Sequence, residues 1–336
     1  MISSVEIKGF RGIREGKIDG LTPLVVLAGP NGCGKSSVLD ALLIAGSRSV
    51  KDGIAQAVRR HEGVRYGARW LFWRPSSHES CEIKIGTDRN GQRTCTLTAE
   101  RPEDWAKFPV QCNIQENFAG TSRGARIRLE FARGNTVAGA SVEDLGTPQE
   151  EFAGVRLLES HREDPEAPLY ELITKTTELG TIGQVSAILR RLVSGATDLR
   201  ILTEGNEPLV QIVYEDHSVP AALAGDGIYS LLRLSLELAS RPNGTVLLEE
   251  PEVHQHPGAV RLTVRAILAA VRRDIQVVLT THSLELIDAI LAESSEEDVE
   301  RLSLYRLNLE DGRLKSRRMP GSEVAFSRCD IEKDLR

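Results

Sequence analysis

No apolar run in this 336-residue chain approaches the ~20 residues that a membrane span needs. Its opening, Met1-Ile-Ser-Ser-Val-Glu-Ile-Lys, lacks the regions of a signal peptide. The expectation is therefore a soluble, cytoplasmic protein with no membrane partner. The five cysteines (Cys33, Cys81, Cys95, Cys112 and Cys329) contain no C-x-x-C pair, so neither a zinc site nor a disulfide framework is indicated. Between Gly46 and Gly225 no heptad array is long enough for a coiled-coil arm. Internal repeats and low-complexity tracts are also missing. His254, His256 and His282 have no further Cys or acidic ligand at characteristic spacing, which argues against a metal cluster. The net charge of −6 excludes a surface that is wholly a nucleic-acid patch and leaves a local one open.

What is present begins with Gly29, Pro30, Asn31, Gly32, Cys33, Gly34, Lys35, Ser36 and Ser37. The spacing G-x-x-x-x-G-K-S is that of a phosphate-binding loop. Its glycines let backbone N–H groups turn toward phosphate oxygens, Lys35 supplies a point charge, and the Ser36 hydroxyl suits Mg²⁺. The context agrees: Leu24–Ala28 reads as a strand buried on both faces, and Val38–Ala45 as a buried helix.

Hydrophobic residues make up 40% of the chain, ample for a sizeable core, and the length allows two domains or one large α/β fold. Residues 2–28 read as a β-meander. Residues 47–75 begin as a helix and end in an apolar knot of Trp70, Leu71, Phe72 and Trp73. A β-rich stretch runs from Cys81 to Ala140, with hairpins about Asn90-Gly91 and Gly134-Asn135. Val155–Leu158 is a candidate core strand, 164–168 a loop, and 182–193 a helix, with short strands near 199–202 and 209–213. From Gly225 onward the pattern alternates: helix 226–240, strand 245–248, helix 257–273, strand 275–280, helix 284–292 and a terminal hairpin at 302–307 and 313–318. The acidic run Ser294–Glu300 reads as a solvated loop. This divides the chain into an N-terminal lobe (1–160), a helical and β connector (161–224) and a C-terminal lobe (225–336).

The segment Thr245-Val-Leu-Leu-Glu249-Glu250 places two carboxylates directly after a buried strand. Glu249 is positioned to hold Mg²⁺, and Glu250 to polarise an attacking water as general base. Alone, the pair would also suit a strand end that caps the next helix; a phosphate loop in the same chain favours the catalytic assignment. A third buried strand ends at His282, where an imidazole can donate to a γ-phosphate. Gly225, Asp226 and Gly227 open an apolar helix. That N-terminus either receives an anion or is capped by Asp226, and both can hold.

The order of phosphate loop, Gly-Asp-Gly helix, acidic pair and strand-end His resembles the ABC-type ATPase head over most of the chain. Within that class it is similar to the SMC-like and OLD-like (overcoming-lysogenisation-defect) branch. The specific parts are Ile7-Lys-Gly-Phe-Arg-Gly12, the phosphate loop, Leu247-Leu-Glu-Glu-Pro-Glu-Val-His-Gln-His-Pro257 and Thr280-Thr-His-Ser283. The fold this implies is α/β: a P-loop NTPase of ABC-head type with a mixed sheet and a β-rich insertion. The resemblance also implies that residues 29–37 bind ATP with Mg²⁺, that Glu250 is the catalytic acid and that His282 is the switch histidine. It puts Arg11 near the nucleotide, and Gly225–Gly227 on a partner's γ-phosphate in a head-to-head homodimer or higher homo-oligomer.

Three departures stand out. Ala224 replaces the serine of transporter signature loops, Glu249 replaces the more usual Asp, and the glutamine loop has no clear counterpart. Slow turnover is the expectation. After His282 no second acidic cluster marks an appended TOPRIM nuclease. The reading that follows is a dimeric ATPase that senses or regulates a separate effector, a nuclease or toxin, in anti-phage defence. The alternative is a recombination-repair ATPase that clamps DNA; a transporter subunit fits poorly. Basic residues available to DNA are Arg59, Arg60, Arg65, Arg69 and Arg74, and Arg123, Arg126 and Arg128. Each cluster also fits a solvated face.

Overall fold

The computed structural model describes residues 1–61, 63–64, 66–74, 80–99, 107–118, 120–144, 154–158, 167–205, 207–253, 255–330 and 334–335. The chain opens with the antiparallel pair β1 (Ile2–Phe10) and β2 (Ile13–Asp19), then β3 (Leu24–Ala28), α1 (Lys35–Gly46) and α2 (Val50–Arg59). An antiparallel series follows: β4 (Ser80–Thr87), β5 (Gln92–Ala99), β6 (Lys107–Phe118), β7 (Thr121–Ala132) and β8 (Val137–Asp144). After β9 (Val155–Leu158) come α3 (Leu169–Glu178) and α4 (Ile182–Leu192). A small sheet is then built from β10 (Asp198–Glu204), β11 (Glu207–Val213) and β12 (Ser218–Pro220). The rest is α5 (Asp226–Ala239), β13 (Thr245–Glu249), α6 (Pro257–Val271), β14 (Gln276–Thr281), α7 (Leu284–Glu293), α8 (Glu296–Glu300), β15 (Leu302–Glu310), β16 (Arg313–Pro320) and α9 (Gly321–Ala325).

Thirteen strands form one sheet, in the order β8-β7-β6-β5-β4-β1-β2-β16-β15-β3-β14-β13-β9. From β15 to β9 the neighbours are parallel, and from β8 to β2 antiparallel. β3 is the hinge of this arrangement. It lies between β14 and β15, so strands from opposite ends of the chain make one parallel core. Its side chains alternate between two apolar layers, as a strand's period of two requires. Val25 and Leu27 join Val38, Leu39 and Leu42 of α1 on one face; Leu24, Val26 and Ala28 join α6 and α7 on the other. The strand is thus buried on both faces, as its unalternating composition requires.

α5 bridges two cores. Leu231, Leu234 and Leu238 pack on the main sheet, while Leu232, Leu236 and Ala239 pack against α3, α4 and the small sheet. Gln276, fully buried at the start of β14, ties distant segments together. Its Nε2 donates to the carbonyls of Ile2 (2.7 Å) and Thr22 (3.1 Å), and its Oε1 accepts from Ile2 N (2.9 Å) and the Thr245 hydroxyl (2.9 Å). Among the described residues no helix is long and apolar enough to cross a membrane. The longest helix among the described residues spans fifteen residues, too short for a coiled-coil arm.

The structure departs from sequence expectation at several places. α3 has no counterpart in the periodicity, and β6 falls inside the expected β-rich stretch 81–140, where no separate strand is marked. Leu71 and Phe72 are buried, but Trp70 of the expected apolar knot is 56% exposed, because the 3-10 turn 67–71 points it outward. The acidic run 294–300 is not a loop: Ser295 and Asp298 form a capping box that opens α8. Most of the 164–168 loop lies outside the described residues.

Asp298 itself is buried. Burial alone would raise its pKa, but Arg272, at 2.6 and 3.1 Å, and the Ser295 amide and hydroxyl outweigh that and hold it at about 2. A carboxylate depressed in the fold contributes stability above its unfolded pKa of about 3.9, and that contribution is lost as pH falls through about 2. Urea midpoints measured from pH 5 to pH 2 should fall more steeply for the wild type than for Asp298→Asn. Parallel curves would refute the assignment.

Candidate functional site

β3, β14 and β13 are adjacent and parallel, and their C-terminal ends lie at one level: Ala28 pairs with Thr281, and Thr280 with Glu249. Each strand is followed by one of the motifs singled out above. Carboxyl ends of parallel strands are where open α/β sheets bind ligands.

After β3 the loop turns sharply. Gly29 has φ 147°, and a Cβ there would lie 2.6 Å from the Leu307 carbonyl and 2.8 Å from the Cys33 sulfur. Gly34, at φ 95°, is the N-cap of α1, with no side-chain cap and no acid in the first turn. The first amides of α1 are therefore free to receive an anion, helped by the helix dipole. Lys35 is buried and its Nζ donates to the loop's own carbonyls, Gly29 (2.7 Å) and Pro30 (3.2 Å). This glycine-rich turn, opening on an uncapped helix N-terminus beside Lys35, fits a polyphosphate. Burial raises the Cys33 pKa despite the charge of Lys35, so the residue is a thiol that packs the loop.

After β13 the two acids diverge. Glu250 adopts φ 43°, a left-handed conformation that costs a non-glycine residue about 1 kcal/mol or more. Its amide donates to the carbonyl (3.1 Å) and hydroxyl (3.2 Å) of Thr280, which fixes it to β14. Its carboxylate lies 2.9 Å from His282 Nδ1. The expected general base and the strand-end His are thus in contact. Behind them Thr281 donates its hydroxyl to Glu252 and accepts the Ser283 amide at 2.9 Å. The second Glu252 oxygen is buried without a hydrogen bond, and burial raises the pKa of this carboxyl.

Glu249 faces the other way and accepts a hydrogen bond from Arg60 Nη2. Arg60 Nη1 also donates to Asp40 Oδ1 at 2.7 Å. Asp40 is fully buried on α1, one turn beyond Ser36, and is shared by Arg11 Nε (2.9 Å) and His61 Nε2 (3.1 Å). Burial would raise the Asp40 pKa, yet Arg11, His61 and Arg60 hold it below the ordinary carboxylate value. The oxygen donors of Ser36 and Glu249 suit Mg²⁺, and the Arg60 guanidinium already marks Glu249 as facing a cation.

The geometry redistributes two expected roles. Arg11 is engaged with Asp40, with the Ala57 carbonyl (2.8 Å) and with the Phe10 ring. Arg60 is not part of a solvated basic face, because its side chain is 6% exposed and internally paired. Arg126 and Arg128 pair with Asn113, Glu143 and Glu130 on the outer face of β7. Arg65 and His254 lie outside the described residues. The capping alternative for Asp226 is not realised: Gly225 is the N-cap of α5 and Asp226 sits exposed in its first turn. α5 as a whole packs with α3, α4 and α6. Asp40 went unread although it leaves a signal, a lone acid within the apolar helix Val38–Ala45 that demands a buried cation.

Residues 1–182, more than half of the chain, match the family described as AAA ATPase domain, and the chain belongs to that family. Residues 199–288 match a further AAA domain family, whose description associates it with the AbiEii toxin of a type IV TA system. The chain is 20% identical to an ATP/GTP phosphatase of Helicobacter pylori over 97% of each. It is 27% identical to the DNA replication and repair protein RecF of Shewanella denitrificans, over 39% of this chain and 37% of RecF. Among solved structures, an Smc head bound to the C-winged helix domain of ScpA has a TM-score of 0.55 at 13% identity, covering 95% of this chain and 98% of that one. An Smc head with an extended coiled coil, bound to the C-terminal domain of ScpA derived from Pyrococcus furiosus, has a TM-score of 0.54 at 13% identity over 99% of each. The mixed α/β fold, with its large mixed sheet, is that of an Smc head, an ABC-type P-loop ATPase domain.

Asp40→Asn keeps the shape of the network and removes its central charge, leaving Arg11 and Arg60 short of a buried partner. Breaking a buried pair in this way typically costs about 3–5 kcal/mol. Urea denaturation should show a loss of that order, against less than ~0.5 kcal/mol for the exposed Asp52→Asn. A loss below ~1 kcal/mol for Asp40→Asn would mean that the cluster is solvated in solution.

Proposed function

We propose that the protein is an ATPase that binds Mg²⁺ and ATP at Gly29–Ser37 and hydrolyses ATP with Glu250 as general base. The observation that carries this reading is the 2.9 Å contact between Glu250 and His282 at the ends of β13 and β14, beside the strand that delivers the phosphate loop. In this mechanism the first amides of α1 and Lys35 hold the phosphates. Ser36 and Glu249 provide oxygen ligands for Mg²⁺, which when bound neutralises charge between phosphate groups. Glu250, held by Thr280 and aligned by His282, orients the water and accepts its proton. Lys35 must leave the Gly29 and Pro30 carbonyls, and Arg60 must yield Glu249. Both exchanges favour slow turnover.

The same reading makes the protein a head-to-head homodimer or higher homo-oligomer. Gly225–Gly227 lie at an exposed, uncapped helix N-terminus preceded by Leu223, which is 75% exposed, and are available to a second copy's phosphate. The motif set Leu247–Pro257 with Thr280–Ser283 supports the OLD-like branch. The match of residues 199–288 to a toxin-associated AAA family supports a regulator of a separate effector, a nuclease or toxin, in anti-phage defence. Similarity to RecF favours a second reading, a repair ATPase that clamps DNA on dimerisation.

Lys35→Ala should abolish nucleotide binding at the loop. Glu250→Gln should bind ATP, lose about 10²–10⁴-fold in hydrolysis rate and accumulate as a dimer in size-exclusion chromatography with ATP. Wild-type hydrolysis by Glu250→Gln would assign the base elsewhere.

A further inference from the structure

Beside the nucleotide motifs, on the β9 side of β13, lies a cavity of about 800 Å³ walled by α2, β8, β9 and α5. It includes no residue of the phosphate loop. Seven cationic side chains line it, among them Arg59, Arg60, Arg156, Arg233 and Arg241, against the carboxylates of Asp52, Glu237 and Glu249. That wall carries a net of four positive charges in a chain whose own net charge is −6. Positive charge concentrated in a concave, partly apolar wall focuses the field on whatever anion enters. The charge is also incompletely satisfied from within. Glu237, buried, is shared by Arg233 (3.4 Å) and Arg241 (3.9 Å), and Arg241 Nε is buried without a hydrogen-bond partner. Arg59 is exposed at the end of α2. Leu157, Leu158, Leu234 and Leu248 supply an apolar surface on the same wall. Ligand pockets of ~300–1,000 Å³ with an apolar lining and a few convergent polar groups hold small molecules of nucleotide size.

We propose that this cavity is a second anion site, taking a phosphate-bearing small molecule, and that its occupant competes with Glu249 for Arg60. Arg60 and Glu249 are both wall residues and are bonded to each other, so a phosphate that draws the guanidinium away leaves the Glu249 carboxylate free for a cation. Binding in the cavity and metal capture at Glu249 are then coupled, and the coupling is reciprocal. The consequence for Glu249 rests on its assignment as a metal ligand; the anion site does not.

Titration calorimetry of the full chain carrying Lys35→Ala, with ATP and separately with inorganic triphosphate, tests the proposal. One site should remain, weakened at least tenfold by Arg59→Gln or by Arg241→Gln and weakened by raised salt. The exposed Arg59 keeps the test meaningful should Arg241→Gln fold poorly. Equal affinity for the two probes identifies a phosphate group as the ligand chemistry, and tenfold preference for ATP identifies a nucleotide. No remaining site, or one indifferent to both substitutions, overturns the proposal. If the wild type and Lys35→Ala give the same isotherm, the phosphate-loop reading fails while the cavity site stands. Adding Glu249→Gln should tighten binding about tenfold by releasing Arg60. Asp52→Asn, which removes equal charge from the same wall, should change it less than twofold. Equal effects would refute the competition for Arg60.

Discussion

A carboxylate shut away from water dictates much of this molecule. Asp40 sits in the middle of α1, and an ionised group so placed is tolerated only with cations around it. The chain supplies them from two directions: Arg11 from the turn after β1, and Arg60 and His61 from the end of α2. α1 is thereby fastened to the β1–β2 pair and to α2 by charge as well as by apolar packing. A second buried cation secures its far end. Arg93, from β5, donates to the carbonyls of Ala45 (2.9 Å) and Ser47 (2.8 Å), where the helix dipole favours positive charge. With its middle and its C-terminus pinned, the free N-terminus of α1 is held at a fixed distance from β13 and β14. A helix that shifted by one turn would carry the phosphate loop away from the ends of β13 and β14.

The long sheet gives the same elements their separate faces. Its parallel half brings three motif-bearing strand ends to one level, and its antiparallel half covers the α1 face with the β4–β8 layer. The opposite face carries α5, α6 and α7. α5 thus joins the main sheet to the α3, α4 and small-sheet layer through its two apolar faces.

The phosphate-loop motif was legible because it needs particular residues in particular order: a buried strand, glycines with positive φ, a lysine and a helix start. Glu249, Glu250 and His282 were legible as strand-end residues, each lying at or just after the end of a buried strand. Legibility ended where partners come from remote segments. Strand order cannot be read from periodicity, so the continuity of thirteen strands and the place of β3 between β14 and β15 were invisible. Family resemblance put Arg11 near the nucleotide, and Arg60 fell in a basic cluster open to nucleic acid because basic residues are solvated by default. Their burial against Asp40 is a tertiary fact, foreshadowed only by one acid in an apolar helix. The capping box of α8 was in plain sight at Ser295 and Asp298 but was masked by the charge of its neighbours.

The position of β3 also has a temporal side. The strand that delivers the phosphate loop is made early, yet both of its ladder partners, β14 and β15, are encoded some 250 residues later. Until those segments leave the ribosome, β3 has neither flanking strand, and neither Glu250 nor His282 exists to face the loop. A growing chain of this kind holds the loop's sequence without the strand ends that later flank it. Such long-range pairing makes closure of the parallel core a late and slow event in folding. The parallel core is thus completed only once the C-terminal part of the chain is available to pair with β3.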